Sequence, residues 1–318
     1  LSETTAVMPR FWRILCIVAL FAAPAAAAPA VVASIKPVHA LVAGVMAGVG
    51  TPALLVAGSA SVHSYSLRPS DAARLDRAAV VFWVGPALER FLERPLATLG
   101  AKAEVVALMA APGVRVLPAR EGGLWERHDD EPDRVAADHD TTDQGAAERD
   151  GHIWLDPGNA KAMVAAIART LSTADPANAA HYAANAAAVA TRIDALDGEL
   201  AARLAPVKGR PFVVFHDAYQ YFERHYGLNA VGSITVAADR PPGARRVTEI
   251  KAKIAAHGAV CVFAEPQFQP RLVTALIAGT GARMGSLDPE GSSLDPGPDL
   301  YDRLMRGLAD GLAGCLGG

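Results

Sequence analysis

The sequence predicts an α/β protein built as two α/β lobes with parallel sheets, joined by one long helix. Three observations carry that expectation: strand-like and helix-like runs alternate up to about residue 108, the alternation resumes after residue 206, and one long amphipathic stretch lies between the two series. Length agrees, because about 290 residues beyond a leader exceed what a single core usually holds.

Residues 1–30 read as a secretory signal to be removed. Arg10 and Arg13 precede an apolar run from Ile14 to Ala23, and Ala26-Ala27-Ala28 offers a small-residue cleavage site. At roughly 10 residues the run falls short of the about 20 needed to span a bilayer. Cys16 leaves with this segment, so Cys261 and Cys315 remain, and an even pair in an oxidising compartment is expected to bridge. Cleavage after Ala28 leaves 28 Lys+Arg against 32 Asp+Glu, a net charge near −4. Such a balance argues against nucleic acid as a partner.

The first lobe is expected over residues 31–175. Its strands are Val31–Ile35, Ala53–Ala57, Ala79–Val84 and Glu104–Leu108, and its helices are Val38–Val49, a helix that Ser70 caps, and Pro86–Leu99. Residues 121–150 interrupt it with eleven carboxylates and three arginines, too charged to bury, and are expected to form an acidic loop. His128 and His139 lie in that loop and could make at most a weak outer metal site. Residues 176–205 form the linking helix: Tyr182, Val189, Ile193, Leu196, Leu200 and Leu204 recur at helical spacing, Asp175 can cap it, and its length is about 43 Å. The second lobe, residues 206–318, has strands at Pro211–Phe215 and Ala259–Phe263 and helices at Ala218–Tyr226, Gly243–His257, Pro270–Ala278 and Leu300–Leu312.

Of nine histidines, His181, His225 and His257 suit helix positions and need no functional reading, and His39 is ambiguous. His63, His152 and His216 each stand at the edge of an element, where open α/β sheets bind ligands. Asp150 and Asp156 flank His152, and Asp217 follows His216. Zinc takes neutral imidazole through one nitrogen while a carboxylate or carbonyl holds the other, so the three are expected to meet on one metal ion. A zinc hydrolase would use the same site and would need a base, for which Glu265 is the candidate.

The segments His63-Ser-Tyr-Ser-Leu-Arg-Pro-Ser-Asp71, Val81-Phe-Trp-Val-Gly85, Gly151-His-Ile-Trp-Leu-Asp-Pro157, Val214-Phe-His-Asp-Ala-Tyr219, Cys261-Val-Phe-Ala-Glu-Pro-Gln-Phe268 and Leu287-Asp-Pro289 closely resemble, in order, those of the ZnuA-like zinc-binding proteins of bacterial ABC importers. The resemblance implies a metal site in the cleft between two lobes, with His63, His152 and His216 as ligands and Asp288 approaching the fourth position, and it implies the Cys261–Cys315 bridge as well. It further implies zinc as the ion, a periplasmic location, a monomer without enzymatic activity, and delivery to a membrane permease with its ATPase. The chain departs from many relatives in having Val62 before the first ligand and an acid-rich rather than His-rich loop before His152. Asp295 rivals Asp288, and three nitrogens favour zinc over manganese. A different divalent metal, or a zinc chaperone or adhesin on the same fold, is the alternative.

Overall fold

The computed structural model describes residues 28–58, 61–120, 125, 149–235, 244–268 and 271–318. The first sheet is parallel throughout, in the order β2-β1-β3-β4: β1 (Val31–Ala33), β2 (Ala53–Leu54), β3 (Val80–Trp83) and β4 (Glu104–Ala107). Register puts Val32 beside Ala53 on one side and Val81 on the other. β3 is buried along its whole length, as its run Val-Val-Phe-Trp requires in a sheet covered on both faces. Helices α1 (Lys36–Val45) and α2 (Pro69–Arg77) follow β1 and β2, each opened by a proline in its first turn.

The second sheet repeats the plan in the order β6-β5-β7-β8, from β5 (Pro211–His216), β6 (Asn229–Thr235), β7 (Cys261–Ala264) and β8 (Arg283–Ser286), again all parallel. Cys261 at the head of β7 is bonded to Cys315 in the closing helix Leu300–Gly317, as expected. No helix among the described residues is long and apolar enough to cross a membrane.

The two sheets share one core. A helix over Pro157–Ala174 and the linking helix over Ala179–Leu204 pack against each other, and the linking helix buries Tyr182, Val189, Ile193, Leu196, Leu200 and Leu204, the six residues its periodicity singled out. The cluster they join runs without a break from Val31, Val80 and Phe82 of the first sheet to Phe212, Cys261 and Phe263 of the second. Opening the lobes widely would expose this seam, at about 25 cal/mol per Å² of apolar surface.

Several local expectations are corrected. Ser70 lies inside α2, whose N-cap is Arg68; Asp71 supplies the capping contact instead, accepting from Arg68 N at 3.0 Å. The helix expected over Pro86–Leu99 is confined to Glu93–Thr98 after a 3-10 turn at Arg90–Leu92, because Glu89 folds its carboxylate back to accept from Gly85 N at 2.9 Å. The linking helix proper begins at Ala179, after a 3-10 turn over Pro176–Asn178, and the Asp175 carboxylate is occupied by Tyr182 Oη (2.9 Å) and Asn178 Nδ2 (2.8 Å).

Candidate metal centre

Three elements deliver the three histidines to one point. His216 is the last residue of β5, His63 sits in a 3-10 turn (Val62–Ser64) between β2 and α2, and His152 precedes a 3-10 turn (Ile153–Leu155) that leads into the helix Pro157–Ala174. His216 closes its strand and His63 follows β2, so both stand at carboxyl ends of strands, where room is left for a ligand. Gly151 allows the His152 strap to pass this close, since a Cβ there would stand 2.8 Å from Leu88 Cβ.

The ring centroids are 5.4 Å apart for His63–His216 and His152–His216 and 5.6 Å for His63–His152. One ligand atom from each ring lies within 4.8 Å of the others. The Nε2 atoms of all three are buried and have no hydrogen-bond partner. Buried polar atoms rarely go unpaired, and three pointing at one another is the arrangement a metal ion resolves. Tetrahedral coordination at about 2.0–2.1 Å sets the nitrogens about 3.3 Å apart, a short inward movement from here.

The far sides of two rings are fixed. Nδ1 of His216 lies 2.7 and 2.9 Å from the Glu265 carboxylate oxygens, and Tyr219 Oη donates to the same carboxylate at 3.1 Å. Nδ1 of His152 lies 2.8 Å from Asp150, which also accepts the His152 backbone N–H at 2.9 Å. A carboxylate at Nδ1 sets the tautomer that presents the Nε2 lone pair. Among the described residues no carboxylate is found on the far side of the His63 ring; its backbone N–H is held by Ser61 Oγ at 3.3 Å.

Electrostatics follow the same division. Burial, and then the neighbouring imidazoles, hold His63 well below the ordinary imidazole pKa. Burial and the His216 charge bring His152 down to about 3. Burial also opposes a charge on His216, but the Glu265 carboxylate and its hydrogen bond, with Glu290 and Asp217 behind them, carry its pKa above the ordinary value. Burial pushes the Asp150 carboxyl up to about 7.

The other expected residues divide. Asp156 caps the helix Pro157–Ala174, accepting from Asn159 N at 3.0 Å, and Asp217 forks with Arg120, the residue that also stacks on Trp125. Asp288 is not among the converging ligand atoms: its carboxylate accepts from Ser292 N (2.9 Å), Ser292 Oγ (3.2 Å), Ser293 N (3.0 Å) and Ser293 Oγ (2.8 Å). Asp295 is exposed. His128 and His139 lie outside the described residues. Sequence reasoning gave no role to Glu290, which is 7 % exposed and whose carboxyl burial pushes up to about 8, nor to Lys36.

The family model described as the periplasmic zinc-uptake complex component A, ZnuA, matches residues 31–315. A "High-affinity zinc uptake system protein ZnuA" of Brucella abortus is 49% identical over 304 residues, covering 90% of this chain and 91% of that one. Among solved structures, a crystal structure of ZnuA superposes with a TM-score of 0.73 at 25% identity, covering 91% of this chain and 99% of that chain. The binding protein FpvC of Pseudomonas aeruginosa in complex with Mn2+ gives 0.76 at 22% identity, covering 91% and 98%. At that identity the second likeness speaks for the fold alone.

Proposed function

Because the chain belongs to the ZnuA family of zinc-uptake components, we propose that it captures one zinc ion in the periplasm through His63, His152 and His216 and hands it to an ABC import permease driven by its ATPase. The observation that carries this reading is the convergence of three buried, unpartnered Nε2 atoms. Zinc here is cargo, so the site has to bind tightly and also let go. Three imidazoles suit zinc better than manganese, which prefers more oxygen. The proposal includes removal of residues 1–30 on export and action as a monomer.

Asp288 remains the proposed fourth ligand. To reach the ion it has to leave the four hydrogen bonds it accepts from Ser292 and Ser293, so water is the competing occupant of that position. His128 and His139 are proposed only as a weak outer site. The hydrolase reading is disfavoured by Glu265 itself, whose carboxylate is committed to His216 and Tyr219 and is poorly placed to take a proton from water.

Metal content and competitive titration of the mature protein test the reading. One tight zinc per chain is expected, retained when residues 121–148 are deleted and weakened more than about 100-fold in His216→Ala, a larger loss than removal of a second-sphere partner gives. An unchanged affinity in His216→Ala would overturn the ligand set.

A further inference from the structure

The segment from Asp288 to Leu294 belongs to the second lobe in sequence, yet four hydrogen bonds tie it to the first. Pro289 O accepts from Trp154 Nε1 at 2.8 Å, two residues along from His152. Lys36, at the start of α1 and only 7 % exposed, donates from Nζ to Gly291 O (3.3 Å), Ser292 O (2.7 Å) and Leu294 O (2.8 Å). Between these anchors Glu290 is buried, and its carboxyl lies near enough to the backbone N–H of Val62, the residue before His63, to temper the rise that burial gives its pKa. One seven-residue stretch therefore touches the neighbours of two of the three proposed ligands.

The chemistry of the Lys36 contact is specific. An ammonium has three protons and no acceptor, and three carbonyls of one turn meet them. Burying a lysine is costly unless its protons are satisfied and carboxylates stand near. Burial is the larger influence and lowers the Lys36 pKa, while Asp288, Asp295 and Glu290 stand close enough to oppose it by favouring the charge. Asp288 closes the turn from inside through Ser292 and Ser293, so the segment is wound around a cation supplied by the opposite lobe. A void of about 10 Å³, with room for about one water, is lined by Lys36, Glu290 and Gly58, the last at the stem of the His63 loop.

We propose that Lys36 and Glu290 form a lobe-to-lobe latch that sets the lifetime of bound zinc: Lys36 fixes the 288–294 segment, and Glu290 passes its position to the turn that carries His63. Both are positioning residues, not ligands. This rests on the zinc-capture reading above, and it adds where release begins. Loss of the Lys36 contact would leave three carbonyls unpaired and free the segment to withdraw from Val62, and His63 would go with the turn.

The test is stopped-flow zinc dissociation into a chelator from the full mature chain, comparing wild type, Lys36→Met and Glu290→Gln, with the absorption spectrum of the cobalt-loaded site recorded alongside. Lys36→Met is expected to raise the dissociation rate about tenfold or more, as loss of charge-assisted hydrogen bonds implies, with the association rate and the cobalt spectrum little changed. Glu290→Gln keeps the shape and is expected to raise it less, which keeps the proposal testable if Lys36→Met folds poorly. Unchanged dissociation in both variants would overturn the latch. A changed cobalt spectrum in Glu290→Gln would overturn it too, by making Glu290 a ligand. Failure of the wild type to bind zinc would instead strike the reading beneath it.

Discussion

His216 and His63 point at the same place from opposite supports. His216 ends a strand that is hydrogen-bonded on both sides, is 3 % exposed, and has a carboxylate and a tyrosine behind its ring. His63 sits in a three-residue 3-10 turn and is half-buried, and its backbone N–H is held by Ser61. One ligand is thus built into the sheet and the other is borrowed from a loop. A site that must bind and also release gains from this inequality, because the ion can be lost from one side while the rest of the cup stays formed. His152 falls between them, with a carboxylate behind its ring but a short strap beneath it.

The comparison breaks most visibly if the partners behind the rings are removed. Glu265→Gln and Asp150→Asn are expected to weaken zinc binding about 10–100-fold, the usual effect of losing a carboxylate that orients a metal-bound imidazole. Ser61→Ala, the nearest equivalent for His63, is expected to change affinity by only about a factor of two, since it removes one 3.3 Å contact to a main-chain N–H. Competitive titration of the three variants decides the matter. Equal losses in Ser61→Ala and Glu265→Gln would mean that His63 is as firmly preset as His216.

A smaller effect separates the rings by charge. In the zinc-free protein His216 is expected to titrate above the reference value of about 6.5, because Glu265 favours its charged form against burial, while burial keeps His63 and His152 neutral to well below that value. A proton on His216 must leave before zinc can bind, so apparent affinity falls as pH drops through the raised pKa of that one ring. Imidazole resonances followed by NMR across pH 5–8 give the order directly. Protonation of His63 before His216 would reverse the assignment of which ligand is electrostatically prepared.

Much of this arrangement was legible in the chain. The alternation of apolar runs gave six of the eight strands among the described residues, and helical spacing identified every buried residue of the linking helix. β6 and β8 escaped notice because Gly232 and Ser233 dilute one and Arg-Met-Gly-Ser spells the other, so neither carries the β-branched signal that marks β3 and β5. The three histidines stood out by position at element edges. Their partners did not sort so easily: of the acids beside them only Asp150 turns to its histidine, and the partner of His216 is 49 residues away at the end of β7. Lys36 was invisible for a further reason. Its acceptors are main-chain carbonyls some 255 residues distant, and a carbonyl has no residue type to recognise.

The smallest expected effect concerns shape, and it is the sharpest test of where motion resides. The core runs unbroken from β1 and β3 through the linking helix to β5 and β7, and separating the lobes would expose that seam. The Val62–Ser64 turn reaches that core through Val62, while His63 itself is only half-buried at its edge. Zinc removal should therefore leave the overall dimensions nearly unchanged, while hydrogen exchange rises in residues 61–65 and 288–294 and stays low in Pro211–His216. Small-angle scattering and hydrogen exchange on the same zinc-free and zinc-loaded samples would show it. A large expansion on zinc removal, or loss of protection in β5 equal to that around His63, would mean that the lobes hinge apart and that the two supports are not the unequal pair described above.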